Sequence, residues 1–153
     1  MPAPSASPPA PPAPPFGVTR SGPHAAAADS GGASGGALLA RGTHAVLDAA
    51  GCDPALLDDP DAVEASVAAA VAAAPCRLLH LHVARFCPRG LTAVAVLAES
   101  HLSVHTWPEH GRAALDAFTC GPADAAGLLA RVARDLGCPD PRPRSLPRGP
   151  DHA

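Results

Sequence analysis

The sequence predicts an α+β fold: a two-layer α/β sandwich, with a mainly antiparallel sheet and helices packed on one face. Three observations point there. Alternating apolar segments run from Arg77 to Cys120 and are joined by short Gly- and Pro-containing turns. Such links suit antiparallel neighbours, because a parallel sheet needs long crossovers. Helical patterns stand before and after this block, at Ala62–Ala74 and Pro122–Leu136, and a helix layer on one sheet face buries both apolar surfaces economically.

The chain has 153 residues, and its composition divides it. Pro, Ala, Gly and Ser dominate residues 1–40, which read as a disordered leader. Residues 41–138 are expected to form one domain, and residues 139–153 a flexible Pro/Arg tail. A domain of about 100 residues buries only around two thirds of its surface, so a dimer would not be surprising.

Element by element, Gly42–Ala50 reads as a strand, and Cys52–Leu57 as a turn with a short helical piece. Asp59-Pro60 offers an N-cap and a first-turn proline. The helix that follows carries Val63, Val67 and Val71 on one stripe and ends before Pro75. In Arg77–Phe86, Leu79, Leu81 and Val83 share one side, and His80 and His82 the other. Leu91–Ala98, His101–Trp107 and Arg112–Cys120 read as further strands. The second of these puts Leu102 and Val104 on one face and His101, Ser103 and His105 on the other. Pro108–Gly111 makes a hairpin turn. The last helix points Leu128, Leu129, Val132 and Leu136 inward.

Charge and composition exclude several functions. The net charge is −3, and all eleven basic residues are arginine. Without lysine there is no pyridoxal-phosphate Schiff base, no Walker phosphate loop and no aldolase-type imine. If the protein does carbonyl-amine chemistry, it must supply the carbonyl and the substrate the amine. Scattered arginines and few aromatics give no nucleic-acid surface. Five cysteines, with no Cys-x-x-Cys, argue against a disulfide framework or a thiolate zinc site. The N-terminus has no signal-peptide pattern, and no apolar run approaches about 18 residues, so a cytoplasmic protein is expected.

The run Leu97–Gly121, LAESHLSVHTWPEHGRAALDAFTCG, places a serine, histidines and a thiol in one expected hairpin. Glu-Ser is a common dipeptide, and spacing alone assigns it no role. The run resembles, however, the signature of the bacterial and archaeal short-form S-adenosylmethionine decarboxylases, as AESHLSVHTWPEHG followed by AALDAFTCG. FCPRGLTAVAVLAES resembles that family's lead-in and GTHAVLDAAGCDPALLDD its opening, so the likeness covers about Gly42–Gly121.

The resemblance implies a proenzyme that cuts itself between Glu99 and Ser100. A β chain of residues 1–99 and an α chain of residues 100–153 would result, the latter headed by a pyruvoyl group made from Ser100. That group would bind substrate as a Schiff base. His105 is implied as the processing base and Cys120 as the proton donor. Phe86, Trp107 and Glu109 are implied in the substrate pocket, where aromatic faces suit a sulfonium. The family's sites lie between protomers, so a homodimer of αβ units is expected, with Phe86 serving the neighbour. The implied product is the aminopropyl donor of polyamine synthesis, with neither metal nor membrane involved.

Four positions depart from the family pattern. Thr92 stands where a processing serine is usual, Ala84 where a histidine is frequent, Arg112 for a common tyrosine and Ala98 for a common serine. They leave open arginine or ornithine as substrate. A non-catalytic, unprocessed or metal-binding paralogue, using His80, His82 and His101, is a third reading. Each site residue also has a plainer one: Ser100 and Glu109 as turn residues, His105 as a strand histidine, and Phe86, Trp107 and Cys120 as core.

Overall fold

The computed structural model describes residues 16–21 and 41–149. They form one seven-stranded sheet with three helices. The strands are β1 (Phe16–Ser21), β2 (Gly42–Ala50), β3 (Leu78–Phe86), β4 (Leu91–Leu97), β5 (Ser100–Trp107), β6 (Arg112–Thr119) and β7 (Arg144–Arg148). The helices are α1 (Pro54–Leu57), α2 (Pro60–Ala72) and α3 (Ala125–Asp135). Strand order is β1-β3-β4-β5-β6-β2-β7, and every neighbouring pair is antiparallel.

The expected two-layer α+β sandwich therefore stands. Its layers follow from side-chain alternation. On the helix side, Ala93, Val104, Leu115 and Leu47 lie in one cross-strand row, and Ala95, Leu102, Ala117 and Ala45 in the next. All eight are buried. The alanines let the helices approach closely, so Val63, Val67 and Val71 of α2 and Leu128, Leu129 and Val132 of α3 join the same core. The open face carries Thr92, His105, Ala114 and Asp48 in one row, then Val94, Ser103, Asp116 and Val46, then Val96, His101, Phe118 and His44.

Local chemistry sets the ends of the elements. Asp59 caps α2, its Oδ1 accepting from the Asp61 N–H at 2.9 Å. The helix stops two residues earlier than expected, because Ala73 closes it and Ala74, preceding Pro75, is biased away from helix. α3 begins at Ala125, not Pro122, with Asp124 as its extended N-cap residue. A Cβ at Gly90 would meet the Thr106 carbonyl at 2.7 Å, which explains glycine in the β3–β4 turn. Its N–H donates to Asp58 Oδ1 at 3.0 Å.

Three expectations need correction. A register shift between Leu78 and His80 makes Leu78, rather than Leu79, pack on the core. The expected flexible tail contains β7, which pairs with β2 from Gly42↔Arg148 to Val46↔Arg144. The expected leader contains β1, paired with β3; its residues 1–15 and 22–40 lie outside the described residues. Both sheet edges are thus formed by strands from segments whose composition suggested coil. Backbone pairing needs no apolar run, and an uncovered β2 or β3 would be an open edge.

Leu129 is fully buried beneath the sheet. Leu129→Ala should destabilise the fold by about 2–5 kcal/mol, read as a lower urea midpoint with an unchanged slope.

Candidate active site

The site residues expected from sequence fall into two groups, at opposite ends of β5. At one end, Phe86, Thr92, His105, Trp107 and Glu109 line a cavity of about 450 Å³ together with Arg89. Thr92 and His105 are direct cross-strand partners, and Thr92 Oγ1 lies 2.8 Å from His105 Nδ1. Trp107 is 45% exposed and Phe86 37%, so neither is core, the plainer reading of both. Glu109 sits in the turn Pro108–His110, which Gly111 closes in the left-handed region at φ 57°.

Glu99, Ser100 and Cys120 meet at the other end. The β4–β5 hairpin turns through Ala98 and Glu99, with Leu97 paired to Ser100. Ser100 has φ 149°, and among the described residues it is the one non-glycine with positive φ. Such geometry for a residue with a Cβ costs on the order of 1–3 kcal/mol, and it gathers at functional sites. The Cys120 N–H donates to the Glu99 carbonyl at 3.1 Å. The Glu99 carboxylate is turned back, with Oε2 accepting from the Arg77 N–H at 3.0 Å. Cys120 itself is half-buried.

Five residues of strand separate Ser100 from His105, about 16 Å at 3.3 Å per residue. Within one chain His105 therefore cannot touch Ser100. The histidine that does is His101, whose Nδ1 is 3.2 Å from Ser100 Oγ. Its Nε2 is 3.1 Å from Asp116 Oδ2. The same carboxylate takes a short hydrogen bond from the Ser103 hydroxyl on Oδ1, and His44 Nε2 lies 3.3 Å from Oδ2. Sequence reasoning passed over Asp116 and His44. The available signal was an acid in mid-strand among apolar residues, on the face that alternation gives to His101 and Ser103.

Burial alone would raise the Asp116 pKa. The hydrogen bonds from Ser103, His44 and His101 outweigh it and hold the group below its ordinary value. Asp116 is ionised at neutral pH and accepts from both imidazoles. His80 and His82 stack with centroids 6.4 Å apart, while His101 is committed to Ser100 and Asp116.

The S-adenosylmethionine decarboxylase family model matches residues 43–149, most of the described sheet and all three helices. This chain belongs to the S-adenosylmethionine decarboxylase family. It is 45% identical over 94 residues to an S-adenosylmethionine decarboxylase proenzyme of Parasynechococcus marenigrum, covering 61% of this chain and 73% of that protein. To the proenzyme of the same name from Methanococcus vannielii it is 50% identical over 80 residues, covering 52% and 66%. The crystal structure of the adenosylmethionine decarboxylase of Aquifex aeolicus superposes with a TM-score of 0.65 at 34% identity, over 71% of this chain and 90% of that one.

In this family member the Asp116 cluster also links stability to pH. Its folded pKa lies below the ordinary value of an aspartate, so its stabilisation is present above that ordinary value and lost as pH falls through the folded one. Wild-type thermal stability should drop over that acidic window. Asp116→Asn should flatten this part of the curve and lower stability at pH 7, as melting followed across pH 2–7 would show.

Proposed function

We propose that this chain is a proenzyme that cuts itself between Glu99 and Ser100 and then decarboxylates S-adenosylmethionine through a pyruvoyl group made from Ser100. One observation carries the reading. The only positive φ of a non-glycine residue among those described falls at Ser100, next to a carbonyl held by a backbone N–H.

Attack of the Ser100 hydroxyl on its own preceding carbonyl turns an amide into a less stable ester. The strain at Ser100 offsets part of that difference. The Cys120 N–H faces the oxygen on which charge develops, and one such donor typically contributes about 10²–10³ in rate. Removal of the Ser100 α-proton then expels the Glu99 carboxylate by elimination and makes the cut irreversible. The dehydroalanine left behind takes up water and loses ammonia, which leaves the pyruvoyl carbonyl.

A pyruvoyl group at residue 100 would supply a carbonyl for the substrate amine and a sink for the electrons released as carbon dioxide leaves. The residues around it have separate tasks. Cys120 returns a proton to the substrate carbon from Sγ. Phe86 and Trp107 offer exposed aromatic faces to the adenine and the sulfonium. Glu109 supplies a carboxylate for the ribose or the sulfonium charge. Thr92 holds the His105 ring through Nδ1. Arginine or ornithine as substrate is not favoured, since the family match and the aromatic cavity both suit S-adenosylmethionine.

A single protomer leaves His105 and the aromatic cavity remote from Ser100. A homodimer of αβ units solves this if a two-fold axis sets one protomer's His105 end against its partner's Ser100 end. His105 then removes the Ser100 α-proton across the interface. The five thiols are free, in keeping with the reducing cytoplasm we assign to the enzyme.

Intact-mass measurement of purified protein should find residues 1–99 and 100–153 as two chains, the second refractory to N-terminal sequencing. Ser100→Ala should stay as one uncut, inactive chain. Cys120→Ala, once cut, should lose roughly 10²-fold or more in turnover. A wild-type chain that stays whole would overturn the proposal.

The dimer has its own check. His105→Ala and Ser100→Ala, each uncut alone, should complement when co-expressed. Only the His105→Ala chain, which supplies Ser100, should then be cleaved. Failure of that pair to cut would overturn the reading of His105 as the base that acts on Ser100 across the interface.

A further inference from the structure

We infer that His101, oriented by Asp116, is the base that takes the Ser100 hydroxyl proton when the Glu99–Ser100 bond opens; this rests on the self-scission reading above. Self-scission needs two separate proton removals, from the hydroxyl and later from the α-carbon. A histidine across the dimer interface accounts for the second. The first has its base already in contact.

The hydrogen-bond pattern fixes the roles of the ring atoms. An ionised Asp116 can only accept, so His101 Nε2, 3.1 Å away, carries a proton and donates it. In the neutral ring Nδ1 then holds a lone pair, and it faces Ser100 Oγ at 3.2 Å. This is the arrangement in which a carboxylate fixes a histidine tautomer and steadies the imidazolium that forms. Asp116 is itself anchored, by Ser103 on one oxygen and His44 on the other. Arg148, which has only donors, meets His44 Nδ1 at 3.2 Å. His44 therefore accepts there and donates to Asp116.

The step balances without any outside reagent. The Oγ proton passes to His101 Nδ1 while Oγ bonds to the Glu99 carbonyl carbon. The C–N bond then breaks, its electron pair stays on the Ser100 nitrogen, and Nδ1 returns the proton to that nitrogen. The net change is one proton moved from oxygen to nitrogen, giving an ester and a free amine. His101 ends as it began, ready to be left out of the later elimination.

The two histidines predict different stalled states, which a trap can tell apart. Hydroxylamine cleaves esters under conditions that spare amides. Full-length His105→Ala should form the ester and stop, so hydroxylamine should release residues 1–99. Full-length His101→Ala should cut about 10²-fold more slowly or worse and yield no hydroxylamine-labile bond. Added imidazole should restore cutting, because the His101 side chain is 42% exposed and its site can admit the free base. That exposure also makes the variant compatible with folding, and His101→Gln, checked by circular dichroism, serves as a second replacement.

Asp116 is a positioning residue in this scheme, and it acts through His101. Asp116→Asn should slow cutting in the wild-type background and add nothing to His101→Ala. Full additivity would remove Asp116 from the scheme. Wild-type cutting rates in both His101 variants, or folded variants that imidazole cannot rescue, would overturn the role of His101 alone. A wild-type chain that never cuts would instead bring down the self-scission reading, and His101 with it.

Discussion

Two residues, Ala98 and Glu99, reverse the chain between β4 and β5, and neither adopts positive φ. Two-residue hairpin turns that match the twist of a sheet normally place a positive φ within the turn itself. Here it is displaced onto Ser100, the first residue of β5. Relaxation is blocked on every side. Ser100 is in register with Leu97 on one flank and Thr119 on the other. Thr119 is buried and tied to the Ala123 carbonyl, and the Cys120 N–H holds the Glu99 carbonyl. Scission of the Glu99–Ser100 bond would release φ at Ser100 without unfolding the sheet. The proposed reaction thus draws on strain that the buried side of the same sheet maintains.

The layer structure then decides where the chemistry can sit. All three helices occupy one face, so Ser103, His101, Asp116 and His44 project from the other. A half-buried carboxylate is well accommodated there because three donors satisfy it. Val94 and Val96 stand exposed beside this polar cluster. The face is therefore part apolar and part fixed hydrogen bonds. That composition suits contact with a second sheet better than open solvent, and the proposed dimer would bring the two ends of β5 together across such a contact.

How much of this was legible in the sequence follows from the kind of force involved. Burial is periodic and local, so the valine stripe of α2, the leucines of α3 and the faces of β5 could all be read from spacing. The slip at Leu78 could not, since a bulge depends on the partner strand. Nor could β1 and β7, which add to the sheet by backbone pairing in Pro-rich surroundings. At the site, Ser100, His105 and Cys120 were legible only through a long motif resembling a known family. Their separation into two ends was implicit in the strand spacing itself. The His101–Asp116–His44 cluster joins residues from three strands, and long-range register of that kind has no trace in a local window.

The same topology bears on what a cut at residue 99 would leave. Residues 1–99 supply β1, β2, α1, α2, β3 and β4, and residues 100–153 supply β5, β6, α3 and β7. The two sets alternate across the sheet, because β2 lies between β6 and β7 while β4 pairs with β5. Three ladders, β4 with β5, β6 with β2 and β2 with β7, would each join one product chain to the other. The polar cluster spans the divide as well: His44 belongs to the first chain, and Asp116 and Arg148 to the second. Severing one peptide bond at the tip of a hairpin would remove none of these contacts. β7 contributes to that hold. It clamps β2 from the far side, so that the strand carrying His44 is held by the other chain on both edges and stays in register after its covalent link to β5 is gone.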